Sequence, residues 1–204
     1  MDNSEITHII IHCAATPNGR PHDIKDIDKW HEERGFGRAA TFYQERKQEL
    51  KQPWNVYLIN QELMEKKSGF NPKHCGYHYL IRLDGVVELG RHIGENGAHA
   101  RGWNHRSVGI CMVGTNQFTR EQWTVLPIVI RTLKKMALSR GWGPNGVQVI
   151  GHRQINPGKT CPGFDVPAWI EGVGLARQEP KPWPDGALFE TQMEPDDTIS
   201  DDPS

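Results

Sequence analysis

Short apolar runs alternate with amphipathic segments along this chain. Residues 6–12, 107–113 and 147–150 are apolar and rich in β-branched side chains, which is typical of buried strands. Residues 23–34 form an amphipathic segment that begins with an aspartate able to cap a helix and is followed by glycine. Residues 166–173 have the pattern of a final short helix. The pattern therefore predicts strands and helices that alternate.

The longest amphipathic segment begins at a capping box. Thr119 and Gln122 have the spacing in which each side chain can bind the other's backbone N–H, so a helix is predicted from there to about Arg140. Pro127 lies well past the first turn, so it either kinks this helix or marks a later start. The residues predicted to face the core are Val125, Ile128, Val129, Thr132, Leu133 and Met136.

Residues 78–89 contain the strongest hairpin signal in the chain. Two apolar runs are separated by Asp84-Gly85, a dipeptide that favours a two-residue turn. Together with the alternating strands and helices, the hairpin predicts an α/β protein: a single domain with a central mixed β-sheet flanked by helices.

Two segments fall outside this pattern. Residues 37–73 are polar and charge-rich, and we interpret them as an insertion that elaborates the surface, shapes the substrate site or binds a partner. Residues 178–204 are proline-rich and end in several aspartates, a composition that predicts disorder. The sequence thus predicts one domain over residues 1–177, carrying the insertion, and a tail over residues 178–204.

Composition excludes several classes of partner. Of the 204 residues, 36% are hydrophobic and 24% are charged, and the formal net charge is −1, so no nucleic-acid partner is expected. No apolar run approaches the roughly 20 residues that a membrane-spanning helix needs. Residues 1–5 are polar and acidic, which predicts that no secretory signal is present and that another factor delivers the protein to any external substrate.

Candidate metal ligands lie at both ends of the predicted domain. His12 ends the first strand, His152 follows the last, and each alone could equally be a core histidine. Cys161 lies in a Gly/Pro-rich loop two residues after Lys159, where exposure and positive charge favour a thiolate. Two imidazoles and a thiolate with a fourth position left to water describe a catalytic zinc site, so a metal-assisted hydrolase is the leading hypothesis.

Seven sequence blocks in the same order resemble those of the zinc-dependent N-acetylmuramoyl-L-alanine amidases. The similarity is to the T7-type phage lysozymes and to peptidoglycan recognition proteins, and it spans residues 6–172 apart from the insertion. The blocks are IHCAAT at 11–16, WHEERGF at 30–36, GYHYLI at 76–81, DGVVELGR at 84–91, GAHA at 97–100, NHRSVGI at 104–110, and GH with KTCPG at 151–163.

The resemblance implies a ligand set and two catalytic groups. The zinc ligands of the family correspond to His12, His152 and Cys161. Its catalytic tyrosine and lysine correspond to Tyr77 and Lys159. The implied reaction is zinc-assisted hydrolysis of the amide bond between N-acetylmuramic acid and L-alanine, with the tyrosine and lysine stabilising the developing oxyanion.

The resemblance also suggests what the protein binds. By similarity, His99, Trp103 and Asn104 are predicted to contact the muropeptide, and the alternative is a purely structural role for each. The branch that recycles anhydromuropeptides typically has Asp in place of Cys161 and Glu in place of Tyr77, so intact bacterial peptidoglycan is the expected substrate. We expect a monomer made in the cytoplasm that acts on the cell wall after release, as a phage or prophage endolysin or as an injected effector.

Two other interpretations remain open at this stage. Some relatives of these enzymes bind peptidoglycan without cleaving it, so a non-catalytic binding module is the main alternative. A structural zinc protein is the third, and it requires a fourth protein ligand such as Cys13 or His78.

Overall fold

A computed structural model describes residues 6–39, 70–143 and 146–172 of the chain. Most of the predicted insertion and the whole predicted tail lie outside these residues, so those predictions stay predictions. The elements are β1 (His8–Cys13), α1 (Ile24–Glu33), β2 (Tyr79–Ile81), β3 (Val87–Leu89), β4 (Ser107–Met112), α2 (Arg120–Ser139), β5 (Gln148–Gly151), α3 (His152–Ile155) and α4 (Val166–Gly172).

The five strands form one mixed sheet with the order β3-β2-β4-β1-β5. β1 runs parallel to both β4 and β5, and β2 runs parallel to β4. Only β3 is antiparallel to its neighbour, because it is joined to β2 by the hairpin. The predicted α/β class and mixed sheet are confirmed, and β1, the first strand in sequence, has a neighbour on each side.

The two faces of the sheet bury different helices. Ile9, Ile11 and Cys13 of β1 belong to the main core, which also holds the apolar faces of α2 and α4. The opposite face packs against α1 through a smaller core that includes Ile24 and Leu80. Because side chains alternate along a strand, His12 points away from Ile11 and Cys13, toward the face that α1 covers.

Helix α2 begins where its capping box predicts and is continuous through its proline. Thr119 accepts from the backbone N–H of Gln122, and α2 continues to Ser139 with Pro127 inside it. Loss of one backbone hydrogen bond at the proline is tolerated because the turns on either side pack into the core. The core face is rotated from the predicted one: Leu126, Ile130 and Ala137 are buried in it, whereas Ile128 and Thr132 are only half-buried.

The hairpin has a longer loop than its sequence predicts. Strand pairing stops at Ile81 and resumes at Val87, although Arg82 N still donates to the carbonyl of Val86. The Asp84 carboxylate accepts the backbone N–H of Val86, and Gly85 adopts a φ of 78°. The aspartate therefore binds the local backbone in place of a tight two-residue turn.

A buried glutamine joins α2 to the sheet. Gln122 is fully buried, and its amide nitrogen donates to the carbonyls of Ile81 (3.2 Å) and Val113 (2.9 Å).

We expect Gln122→Leu to lower the free energy of unfolding by about 2–4 kcal/mol. The two carbonyls and the backbone N–H of Thr119, which donates to Gln122 Oε1, would lose their hydrogen-bond partner. Denaturant unfolding measures the change, with the exposed Lys134→Ala as the control, expected within about 0.5 kcal/mol of wild type. Equal stabilities for the two variants would contradict the prediction.

Candidate functional site

Parallel pairing brings the two candidate histidine ligands together. In the register of β1 and β5, Ile11 lies opposite Gly151, so the residues that follow them lie at the same edge of the sheet. His12 is the second-last residue of β1, and His152 begins α3 directly after β5. Their ring centroids are 4.7 Å apart.

The loop after α3 returns Cys161 to the same place. Arg153 N donates to the carbonyl of Cys161 at 2.8 Å, which closes the loop. The backbone N–H of Cys13 donates to Cys161 Sγ at 3.2 Å, and Sγ lies 3.8 Å from His12 Nδ1. The thiol is therefore held by the end of β1 and faces the imidazole of the neighbouring residue.

The His12, His152 and Cys161 side chains form a group able to hold a metal ion. One ligand atom from each lies within 4.8 Å of the other two. Tetrahedral zinc with ordinary Zn–N and Zn–S bonds separates its ligand atoms by about 3.3–3.6 Å, so small side-chain adjustments suffice. Within the described parts of the chain, no second group of three His, Cys, Asp or Glu residues has this geometry. The donor set of two imidazoles and one thiol fits zinc, and all three residues line one cavity.

Burial sets the charge state of these ligands. Desolvation, together with the nearby His99 and His152, lowers the pKa of His12 well below its ordinary value, so the ring is neutral as metal binding requires. The hydrogen bond with the Cys13 side chain and burial raise the pKa of Cys161 well above its ordinary value. The exposure and positive charge that were predicted to favour a thiolate at Cys161 are therefore opposed by burial and by the Cys13 side chain, and a cation between the candidate ligands would supply the missing charge.

A third histidine orients the first. His12 Nε2 lies 3.0 Å from His99 Nδ1, which leaves His12 Nδ1 on the side of Cys161. Gly109 of β4 makes room for the His99 ring, because a Cβ at that position would come within 2.7 Å of it. A glycine inside a strand is the sequence signal for such a close approach.

Tyr77 and Lys159 line the same cavity as the metal-capable group. The cavity has a volume of about 410 Å³ and is also lined by His99 and Asn104. The Tyr77 ring centroid lies 5.2 Å from that of His12. Burial raises the pKa of Tyr77 well above its ordinary value, so its hydroxyl stays protonated and can donate a hydrogen bond at neutral pH.

The residues predicted to bind substrate differ in their surroundings. Asn104 Oδ1 accepts the backbone N–H groups of His99 (2.9 Å) and Ala100 (2.8 Å), so it also shapes the loop that carries His99. Trp103 is not among the residues that line the cavity. Its ring packs on His8, with centroids 4.7 Å apart, and under the Arg106 guanidinium at 4.2 Å.

Helix α1 contributes residues that sequence reasoning missed. His31 is buried on α1, and its ring centroid lies 5.3 Å from that of Tyr77. Its Nδ1 accepts the backbone N–H of Gly76 at 2.8 Å. Burial, with nearby arginines, lowers the pKa of His31 to about 4. Asp28 is also buried, and the spacing of both residues from Ile24 was the available signal.

The interpretation as a structural zinc site loses its proposed fourth ligand. His78 Nδ1 accepts the backbone N–H of Gly109, and its Nε2 lies 3.0 Å from the carbonyl oxygen of Glu95. Neither His78 nor Cys13 belongs to the metal-capable group of the described residues. That group has three members, which is the number of protein ligands typical of catalytic zinc sites. Separately, no helix in the described ranges has the length and apolar character needed to cross a bilayer.

Comparisons with known proteins identify the family to which this chain is similar. A family model described as N-acetylmuramoyl-L-alanine amidase matches residues 2–164. The endolysin of Enterobacteria phage K11 is 28% identical over 175 residues, covering 82% of this chain and 87% of the endolysin. Peptidoglycan-recognition protein SC2 of Drosophila melanogaster is 41% identical over 100 residues, covering 47% of this chain and 50% of that protein.

The fold has solved counterparts as well. The structure of N-acetylmuramoyl-L-alanine amidase LysC from Clostridium intestinale URNW superposes with a TM-score of 0.54 at 21% identity, covering 85% of this chain and 87% of that one. The family match covers most of the chain, including all three candidate metal ligands and both candidate catalytic residues. The chain belongs to the N-acetylmuramoyl-L-alanine amidase family.

Proposed function

We propose that this protein hydrolyses the amide bond between N-acetylmuramic acid and L-alanine in bacterial peptidoglycan, and that the reaction depends on zinc. The observation that carries the proposal is the convergence of His12, His152 and Cys161 at a cavity that Tyr77 and Lys159 also line. When bound, zinc would activate water and polarise the scissile carbonyl.

The side chains around the ligands supply the remaining chemistry. The neutral Tyr77 hydroxyl would donate a hydrogen bond to the carbonyl oxygen as negative charge develops on it. The Lys159 ammonium would stabilise the same charge from the loop that carries Cys161. Preorganised donors of this kind commonly contribute about 100- to 1000-fold to the rate. His99 would keep the His12 proton on Nε2, so that Nδ1 is available to the metal.

The cavity also suggests where substrate is held. We propose that His99 and Asn104 contact the muropeptide, since both line the cavity. Trp103 remains a proposed contact, although its packing on His8 and Arg106 gives it less direct support. The proposed substrate is intact peptidoglycan, hydrolysed by a monomer at the cell wall after release from the cytoplasm, as for an endolysin.

Mass spectrometry of purified peptidoglycan tests the proposal. Incubation with the protein is expected to release peptides with a free N-terminal L-alanine while leaving the glycan strands intact. A chelator should abolish release, and added zinc should restore it, because the ligand set contains no protein group able to replace the ion.

Two outcomes would contradict this proposal. Release that is unaffected by metal depletion would show that hydrolysis does not depend on zinc. One bound zinc per chain without any release from sacculi or soluble muropeptide would favour a peptidoglycan-binding module instead.

A further inference from the structure

Three consecutive backbone N–H groups precede Tyr77, and each donates to a side chain of α1. The bonds are His74 N to Asp28 Oδ1 (2.6 Å), Cys75 N to Asp28 Oδ1 (2.7 Å) and Gly76 N to His31 Nδ1 (2.8 Å). We call this set of bonds the α1 clamp. It fixes the backbone of residues 74–76, which leads to Tyr77 at the cavity.

The α1 clamp contains a buried carboxylate, that of Asp28, which needs hydrogen bonds to offset its loss of hydration. Asp28 is 8% exposed, and burial of a carboxylate is unfavourable unless hydrogen bonds compensate it. A single oxygen of Asp28 accepts two N–H groups, and such charge-assisted bonds are roughly twice as strong as neutral ones. The sequence thus places a charged acceptor where an apolar residue would otherwise complete the α1 face.

The position of the α1 clamp along the chain explains what it controls. The described structure resumes at residue 70, inside the predicted insertion, and the α1 clamp begins at residue 74, directly after the predicted end of the insertion at residue 73. The opposite edge of the same backbone is also held, since Arg91 Nε donates to the carbonyl of Cys75 and Ala98 N donates to that of Gly76. Asp28 supplies the bonds nearest the insertion.

We propose that Asp28 is a positioning residue for Tyr77, an inference that rests on the proposed function of the tyrosine. Tyr77 is packed between the rings of His12 (5.2 Å) and His31 (5.3 Å), so a shift of its backbone displaces the hydroxyl relative to the metal-capable group. A misplacement of about 1 Å in an active site can cost about 100-fold in rate. Asp28 thereby holds the backbone that positions the tyrosine.

Steady-state kinetics on a soluble muropeptide, with the zinc-loaded full chain, test this role. Asp28→Ala is expected to lower kcat by about 10- to 100-fold while KM stays within about threefold and one zinc per chain is retained. Asp28→Asn keeps an oxygen that can accept both N–H groups, so it should recover kcat to within about threefold of wild type. The exposed Glu33→Ala on the same helix is the matched control and should leave kcat unchanged.

A double-mutant cycle separates positioning from a general structural role. If Asp28 acts through the Tyr77 hydroxyl, Asp28→Ala should cause no further loss in a Tyr77→Phe background. Multiplicative losses, or loss of zinc from Asp28→Ala, would overturn the proposal. If Asp28→Ala fails to fold, Asp28→Glu takes its place in the cycle, because the longer side chain displaces the carboxylate by one methylene. No further loss in the Tyr77→Phe background would support the positioning role, and multiplicative losses would overturn it.

The cycle also separates the proposed role of Tyr77 from the proposed role of Asp28. Near-wild-type turnover of Tyr77→Phe would remove the proposed role of the tyrosine, and with it the reason for positioning it. A strongly impaired Tyr77→Phe combined with multiplicative losses would leave the tyrosine's role intact and reject only the role of Asp28.

Discussion

The substitutions His152→Ala and Cys161→Ser are each expected to remove the bound metal and to reduce amidase activity by at least about 1000-fold. Each replaces one of the two candidate ligands that follow β5. Each variant leaves two protein ligands where the structure brings three together, and a two-ligand site holds zinc poorly at neutral pH. Elemental analysis of the purified protein measures metal content, and release of L-alanine-terminated peptide measures activity. The two quantities should fall together.

The control for these variants is a histidine outside the site. His105 is exposed and lies on the loop before β4, so His105→Ala should keep one zinc per chain and full activity. Circular dichroism establishes that each ligand variant remains folded. Retention of stoichiometric zinc by His152→Ala or Cys161→Ser, or loss of zinc without loss of activity, would reject the assignment of these ligands.

Tyr77→Phe is expected to lower kcat by about 100- to 1000-fold, which corresponds to about 2.7–4 kcal/mol of transition-state stabilisation. The substitution removes one hydroxyl and keeps the ring that packs between His12 and His31. Because the pKa of Tyr77 is raised well above its ordinary value, the wild-type hydroxyl is a donor throughout the neutral range. Metal content should not change, which distinguishes this variant from the ligand replacements.

Tyr79 offers a matched comparison for the loss of a hydroxyl. It is two residues further along, on β2, and its ring is buried in the main core on the other face of the sheet. Tyr79→Phe should therefore keep kcat near that of wild type, whatever its effect on stability. Equal kcat values for Tyr77→Phe and Tyr79→Phe would show that the Tyr77 hydroxyl has no role in turnover.

Local sequence signals were sufficient for most elements of the fold. The capping residues Asp23 and Thr119 mark the starts of α1 and α2, because a cap satisfies helix N–H groups by itself. The rotation of the α2 core face could not be read from its sequence. Apolar residues make up about half of that helix, and only the packing partners on the sheet select which of them become buried.

The candidate site was predictable where its residues carry distinctive chemistry. His12, His152, Cys161, Tyr77 and Lys159 were identified by resemblance, and the structure brings all five to one cavity. The residues that hold this group were harder to find. Asp28 and His31 look like polar surface positions of an amphipathic helix, and only the tertiary fold reveals that backbone N–H groups from residues 74–76 occupy that face.

The parallel pairing of β1 with β4 and β5 ties activity to completion of the domain during synthesis. His12 and Cys161 are separated by 149 positions, so the ligand set does not exist until almost the whole described region has left the ribosome. At 5–20 residues per second, that interval is on the order of ten seconds. A nascent chain that lacks Cys161 therefore lacks the complete metal-capable group, and we expect metal to bind only after the first and last strands have paired.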